Sequence, residues 1–260
     1  MKKTIYDIVL YFVAFVAIQI LAGAVAELVA PLAGVKADHP VALTITSAAA
    51  SLLTIIAFLC LKWAPVGKSY IQSRPWATLA WSVVAALGVV IPSAWLQEMM
   101  PELPDTAGDS IMKIIHTKGG YFVVCLLAPM VEEIVFRGAI LRRLFDTSMN
   151  KWGAICITAA LFALVHANPA QTPHAFLMGW LMGWLYMRTG SIIPAIAFHW
   201  ANNTVAYFIA IMYPGKDTKL VDIFSGNGNA VLMAVVFSLC IFIPAIIHLI
   251  YGQRKRVANK

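Results

Sequence analysis

The sequence predicts an all-α polytopic transmembrane helical bundle. This prediction rests on the amino-acid composition and on the length of the apolar runs. Of the 260 residues, 61% are hydrophobic and only 12% are charged, whereas about 25% of the residues of an average soluble domain are charged. The apolar residues form long runs without a heptad or glycine repeat, which excludes a disordered chain, a collagen and a coiled coil. In lipid only helices and closed barrels satisfy the backbone, and these runs are far longer than barrel strands.

About eight of the apolar runs approach the length of about 20 residues with which an α-helix crosses a bilayer. They lie at residues 5–30, 41–63, 77–98, 120–141, 152–168, 173–189, 192–213 and 230–251. Between the third and fourth runs, Ser110–Ile115 predicts a short amphipathic helix at the outer interface. We expect a single integral membrane domain over residues 1–260, with the motif-bearing core at about 120–213.

The basic residues predict that the N- and C-termini are both cytoplasmic. With eight spans and the N-terminus inside, 13 of the 19 Lys and Arg residues fall on the cytoplasmic side, 5 fall outside and Arg137 lies within a span. Cytoplasmic loops of membrane proteins carry such an excess. The net charge of +7 is therefore interpreted as a topology signal, and no nucleic-acid partner is expected.

The fourth run contains three charged residues, although charges inside a bilayer are costly and rare. Glu133 and Arg137 are four positions apart and share one helix face, while Glu132 is rotated from Glu133 by about 100°. We expect Arg137 to pair with Glu133 and Glu132 to face an internal cavity. A structural ion cluster is the alternative. Pro129 removes one helical hydrogen bond, which predicts a kink and a disturbed carbonyl at Cys125.

The fifth and seventh runs each carry a histidine within an i, i+4 pair. Phe162 precedes His166 by four residues, and His199 precedes Asn203 by four. The second pair therefore lies one turn apart on one helix face and can address one point in a neighbouring cavity. His166 taken alone fits a satisfied histidine near a helix end as well as a functional one. The remaining histidines, His174 among them, are expected near interfaces, where hydration suffices.

Three motifs thus follow one another on successive helices: Glu132-Glu133-x-x-x-Arg137, Phe162-x-x-x-His166 and His199-x-x-x-Asn203. In this order they resemble the CAAX protease and bacteriocin-processing family of intramembrane proteases, also called the abortive-infection family. Its eukaryotic relative is the type II CAAX prenyl endopeptidase. Each motif is short, but three in register over residues 129–203 are specific.

The resemblance implies an intramembrane endopeptidase that uses glutamate-activated water to hydrolyse a membrane-associated or prenylated, CAAX-like peptide. By position, Glu132 is then the general base and His166 helps to hold the water. His199 and Asn203 are then the groups that stabilise the oxyanion. These residue types suit the chemistry independently, since a carboxylate accepts protons and imidazole and carboxamide groups hydrogen-bond to developing charge.

The resemblance also implies supporting roles for Glu133 and Arg137. No cofactor is expected, and the HExxH helix of many zinc peptidases is absent from the sequence. A catalytic zinc is the alternative, because Glu132, His166 and His199 could supply a two-histidine, one-glutamate ligand set with an open fourth position.

Two further functions stay open at the level of sequence. One is a proton-coupled transporter that uses Glu132 and His199 as a relay, although no inverted repeat relates the two halves of the chain. The other is a non-catalytic bacteriocin-immunity or regulatory membrane protein. The expected partners are a peptide or membrane-protein substrate and the lipid bilayer. The compact chain with short loops favours a prokaryotic cytoplasmic membrane.

Overall fold

The computed structural model describes residues 2–65, 67, 69–214 and 218–258, and this part of the chain forms helices without β-strands. The predicted all-α fold class is therefore confirmed. Single helical turns occupy Ala30–Ala33, Ser69–Gln72 and Leu220–Ile223. The longer helices are α1 (Lys2–Val29), α2 (Pro40–Cys60), α3 (Trp76–Glu98), α4 (Gly108–Ile115), α5 (120–145), α6 (Lys151–Val165), α7 (Thr172–Thr189), α8 (Ile193–Met212) and α9 (Gly228–Ala258).

Each predicted apolar run lies on a long helix, and the predicted amphipathic segment Ser110–Ile115 lies in α4. Helix α9 continues seven residues past its predicted boundary to Ala258, and α5 continues four residues past its own to Phe145. The added turn is basic, and Arg143 donates to the Asp7 carboxylate of α1 at 2.6 Å. This ion pair gives the polar turn a partner, so the helix does not end where its apolar run ends.

Local sequence signals set several helix ends. Asn150 accepts the backbone N–H of Trp152 at 2.9 Å and caps the start of α6, as side-chain oxygens at N-caps commonly do. Pro173 and Pro194 lie in the first turns of α7 and α8. A backbone N–H in the first turn has no partner within the helix, so a proline, which lacks that N–H, fits there. Gly190 follows α7 with a left-handed φ of 66°, which a residue without a Cβ adopts readily.

Four segments of the described chain are long and apolar enough to cross a membrane: Lys3–Ala33, Pro40–Cys60, Trp76–Glu98 and Gly228–Gly252. Shorter apolar helices accompany them, including Lys151–Val165. The chain is an integral membrane protein. The number of eight spans and the cytoplasmic position of both termini stay predictions. The terminal residues Met1, Asn259 and Lys260 lie outside the described residues, as do the basic residues Lys68 and Lys216.

Close helix packing depends on glycines. A Cβ at Gly88 of α3 would lie 2.6 Å from the backbone nitrogen of Phe242 in α9. A Cβ at Gly179 of α7 would lie 3.1 Å from Cδ1 of Phe162, and one at Gly183 would lie 3.0 Å from a side chain of α6. Small residues allow such approaches between membrane helices, and here they bring α7 against α6.

Helix α4 covers the end of the bundle at which α8 terminates. The Tyr207 hydroxyl donates to the carbonyl of Ile115 at 2.9 Å. Outside the bundle, the Lys113 ammonium donates to the Asp38 carboxylate at 2.8 Å and holds the pKa of that carboxyl below its usual value. These contacts fix α4 beside the cavity described below.

Candidate active site

The helix that carries both glutamates is irregular. Wide π-helical turns at Phe122–Leu127 and Ile134–Leu141 flank an α-helical segment at Ala128–Glu133, and such turns occur frequently at functional sites. The N–H of Ala128 bonds to the carbonyl of Val123, five residues back. Pro129 has no N–H to continue that series, so the Val124 carbonyl loses the corresponding donor.

Asn203 of α8 donates to that carbonyl. Its Nδ2 bonds to the oxygen of Val124 at 3.0 Å, and its own Oδ1 accepts from Asn202 at 3.3 Å. Asn203 thus bonds to the carbonyl of Val124, the residue before Cys125, because the turn before Pro129 is π-helical. An amide NH₂ carries two hydrogens, and the bond to Val124 uses one of them.

The predicted pairing of Arg137 with Glu133 is confirmed. Arg137 Nη1 donates to Glu133 Oε1 at 2.6 Å, and both side chains are fully buried. Arg137 Nη2 donates to the carbonyl of Gly179 at 2.7 Å, and the guanidinium lies over the ring of Phe162 at 4.7 Å from its centroid. One cation thus links α5 to α6 and α7 inside the bundle.

His199 lies between the two glutamates. Its Nδ1 is 3.1 Å from Glu133 Oε1, and its Nε2 is 3.7 Å from Glu132 Oε2. A neutral imidazole bonds to a carboxylate through its N–H, so in its neutral form His199 carries the proton on Nδ1 and has Nε2 as an acceptor. Sequence reasoning placed His199 in the cavity but missed its bond to Glu133, which joins residues 66 positions apart.

His166 ends α6, where its Nδ1–H donates to the carbonyl of Phe162 at 2.8 Å. The Phe162 ring packs edge-on against both imidazoles, with ring centroids 4.9 Å from His166 and 5.7 Å from His199. Phe162 therefore contacts both histidines and Arg137, which explains why an aromatic residue suits this position.

One cavity of about 580 Å³ brings the predicted catalytic residues together, a size common for ligand-binding cavities. Glu132, His166, His199 and Asn203 all line it. Glu133 and Arg137 are absent from its described lining and are buried next to it. The structure thus separates four residues that face the cavity from an ion pair that supports them.

His174, which was expected near an interface, also lines this cavity. It lies in the first turn of α7, and that turn faces the cavity because Ala175 and Met178 also line it. The spacing of four residues between His174 and Met178 was a signal for this shared face. Asn202, which is only 8% exposed, is a second polar residue that lines the cavity and that the motifs did not indicate.

The three residues of the zinc alternative all line the cavity. Within the described residues, no three His, Cys, Asp or Glu side chains are grouped as metal ligands. Glu132, His166 and His199 are all described, and because Nδ1 of each histidine is hydrogen-bonded, Nε2 is the ring atom that each could offer to a metal ion or a water.

Residues 116–205, 90 of the chain's 260, match the family model described as type II CAAX prenyl endopeptidase Rce1-like. The resemblance carried by the motifs is thereby confirmed over this segment, which contains all seven motif residues named above. No solved structure matches the chain.

Two curated bacterial proteins are similar to part of the chain. YdiL of Bacillus subtilis, named as a proposed membrane peptidase, is 33% identical over 90 residues, which are 35% of this chain and 35% of YdiL. UPF0177 protein YxdF of Lactococcus lactis is 27% identical over 104 residues, which are 40% of this chain and 52% of YxdF. The chain thus spans about half or less of the length of these relatives.

The buried ion pair predicts a large effect on stability. We expect Arg137→Met to destabilise the protein by about 3–5 kcal/mol, because it leaves Glu133 charged and uncompensated in the core. Thermal unfolding of the purified protein in detergent measures this change.

Lys113→Met is the matched control, since it breaks an ion pair whose side chains are 39% and 66% exposed. Exposed pairs contribute little, so its unfolding temperature should stay near that of the wild type. Equal shifts for the two variants would contradict the buried pairing.

Proposed function

We propose that the chain is an intramembrane endopeptidase in which Glu132 activates a water molecule without a metal ion. The strongest support is the position of Glu132 and His199. Both line the cavity, and Glu132 Oε2 is 3.7 Å from His199 Nε2. That separation is longer than a direct hydrogen bond. It suits two groups that hold one water between them.

The protonation of His199 orients that water. Because the bond to Glu133 leaves Nε2 of His199 as an acceptor, the water donates one hydrogen to His199 and the other to Glu132. Its oxygen lone pair then faces a peptide carbonyl in the cavity. This role differs from the oxyanion role that the resemblance implies for His199.

The proton balance needs only Glu132. As the water oxygen forms a bond to the carbonyl carbon, its proton passes to the Glu132 carboxylate. When the tetrahedral intermediate collapses, the C–N bond breaks and the same proton passes to the leaving nitrogen. A single carboxylate that acts first as base and then as acid is regenerated at each turnover.

Asn203 is the proposed donor to the oxyanion. One of its amide hydrogens is held by Val124, which fixes the plane of the carboxamide, and the second is the one that bonds to the developing charge. Fixed donors of this kind contribute about 10²–10³-fold to the rate. His166, with its proton on Nδ1, offers Nε2 to the water or to a substrate N–H.

The names of the matched family and of YdiL support a peptidase. We propose a peptide or membrane-protein substrate, which includes membrane-associated and CAAX-like segments. We also propose one membrane domain over residues 1–260 in a prokaryotic cytoplasmic membrane. The bacterial sources of both relatives support that location.

Glu132→Gln should abolish cleavage while the protein still inserts and folds. The amide cannot take a proton from water, and loss of general acid–base catalysis lowers rates by about 10²–10⁴-fold. The measurement is a comparison of peptide termini in membranes from cells that produce the wild type or the variant.

Glu102→Gln is the matched control, since the Glu102 side chain is 91% exposed and lies outside the cavity lining. The peptide termini found in membranes of cells that produce this control should be the same as those found with the wild type. A fully active Glu132→Gln variant would remove this function, and a wild type without any cleavage products would favour the non-catalytic alternative.

Removal of metal ions should leave cleavage unchanged. We expect the purified protein to contain less than one zinc per chain and to keep its activity after treatment with EDTA or phenanthroline. Loss of activity on chelation that added zinc restores would instead support the ligand set of Glu132, His166 and His199.

A further inference from the structure

The cavity reaches the end of the bundle on one side. Its lining includes Gln97 at the end of α3, Asp105 in the next loop, Gly108 at the start of α4, Gln171 before α7 and Tyr213 after α8. These positions are all helix ends or loops, and Asp105 is exposed. They mark the opening through which a substrate can reach Glu132.

The other end is closed by packed side chains. Ile140, Leu141, Ile155 and Leu185 are each at most 2% exposed, and they lie on α5, α6 and α7 beyond the glutamates. Within the described part of the chain, no lining residue of the cavity comes from residues 60–76 or 138–155. A substrate therefore has no comparable route from that end.

Charge assigns the two ends to the two sides of the membrane. The loops and helix ends at the closed end carry Lys62, Arg74, Arg142, Arg143, Lys151 and Arg188. The described loops and helix ends at the open end carry fewer basic residues, namely Lys36, Lys113, Lys118 and Lys219. Because Lys and Arg are concentrated in cytoplasmic loops, this excess predicts that the closed end is cytoplasmic and the open end is extracytoplasmic.

Hydrogen bonds hold the rim of the opening in place. Asn168, only 1% exposed, donates to Asp105 Oδ1 at 2.8 Å and accepts the N–H of Thr106 at 3.1 Å. The Gln97 amide donates to the carbonyl of Ala170 at 2.8 Å. The loop before α4 is thus joined to the turn between α6 and α7, so the opening is part of the folded structure.

We propose that the cavity takes its substrate from the extracytoplasmic side, so that the substrate is an extended peptide segment at that face and not a chain presented in the cytoplasm. The substrate class rests on the proposed function, whereas the direction of opening does not. His199 lies 14 residues before Tyr213, which is about 21 Å along α8. About six residues of extended chain cover that distance.

Thiol accessibility tests the direction of opening without any turnover. In a chain whose four cysteines are replaced by alanine or serine, single cysteines are introduced as Ala206→Cys in the cavity lining, Leu103→Cys in the loop at the open end and Met149→Cys in the loop at the closed end. Each variant is treated with a membrane-impermeant maleimide in right-side-out spheroplasts and in inverted vesicles.

We expect the cysteines at 206 and 103 to be labelled in spheroplasts and the one at 149 only in inverted vesicles. Labelling of 206 and 103 together in inverted vesicles would overturn the assigned orientation. Labelling of 206 with 149, or from neither side, would overturn the proposed opening. If the cysteine-free chain fails to insert, the same substitutions are made in the native chain. The measured quantity is then the labelling of each variant above the labelling of the native chain.

These outcomes separate the two proposals. A chain that shows the expected labelling but yields no cleavage products fails as a peptidase and keeps its extracytoplasmic opening. A chain that cleaves in a Glu132-dependent manner but labels at 206 only from the cytoplasmic side keeps its proposed chemistry and loses the substrate class inferred here.

Discussion

A single buried oxygen, Oε1 of Glu133, is the point on which the site depends. It accepts from Arg137 at 2.6 Å and lies 3.1 Å from Nδ1 of His199. Burying a carboxylate and a guanidinium costs several kcal/mol per ion, and only good geometry with further hydrogen bonds offsets that cost. The carbonyl of Gly179 supplies one such bond to Arg137. The result is a fixed junction of α5, α7 and α8 in the interior of the bundle.

That junction determines what the neighbouring groups can do. With Glu133 engaged by Arg137 and His199, Glu132 is the glutamate that lines the cavity, and its side chain keeps 19% exposure there. Pro129 adds a second constraint, since the carbonyl it leaves without a helical donor is bonded by Asn203. A proline and a carboxamide on different helices thus act as one positioning element, and the chemistry is confined to the face of α5 that carries Glu132.

The sequence was sufficient for the fold class and for the positions of the long helices, because apolar length and periodicity are local properties of the chain. It was also sufficient for the Arg137–Glu133 pair, which lies within one helical turn. The bond between His199 and Glu133 could not be predicted in this way, since nothing local relates helices 66 residues apart. The hydrogen bond between Asn168 and Asp105 at the rim could not be predicted for the same reason. The carbonyl that Pro129 leaves without a helical donor could not be predicted either, because the π-helical turn there pairs residues five positions apart and not four.

The most direct test of the central claim is a double-mutant cycle on the rate of cleavage, made with Glu133→Gln, His199→Gln and the double variant and corrected for the folded fraction of each. Coupled residues give non-additive effects. If Glu133 acts by fixing the ring and the proton of His199, the double variant should lose no more activity than the more damaged single variant. Losses that multiply in the double variant would show that the two residues act independently and would contradict this account.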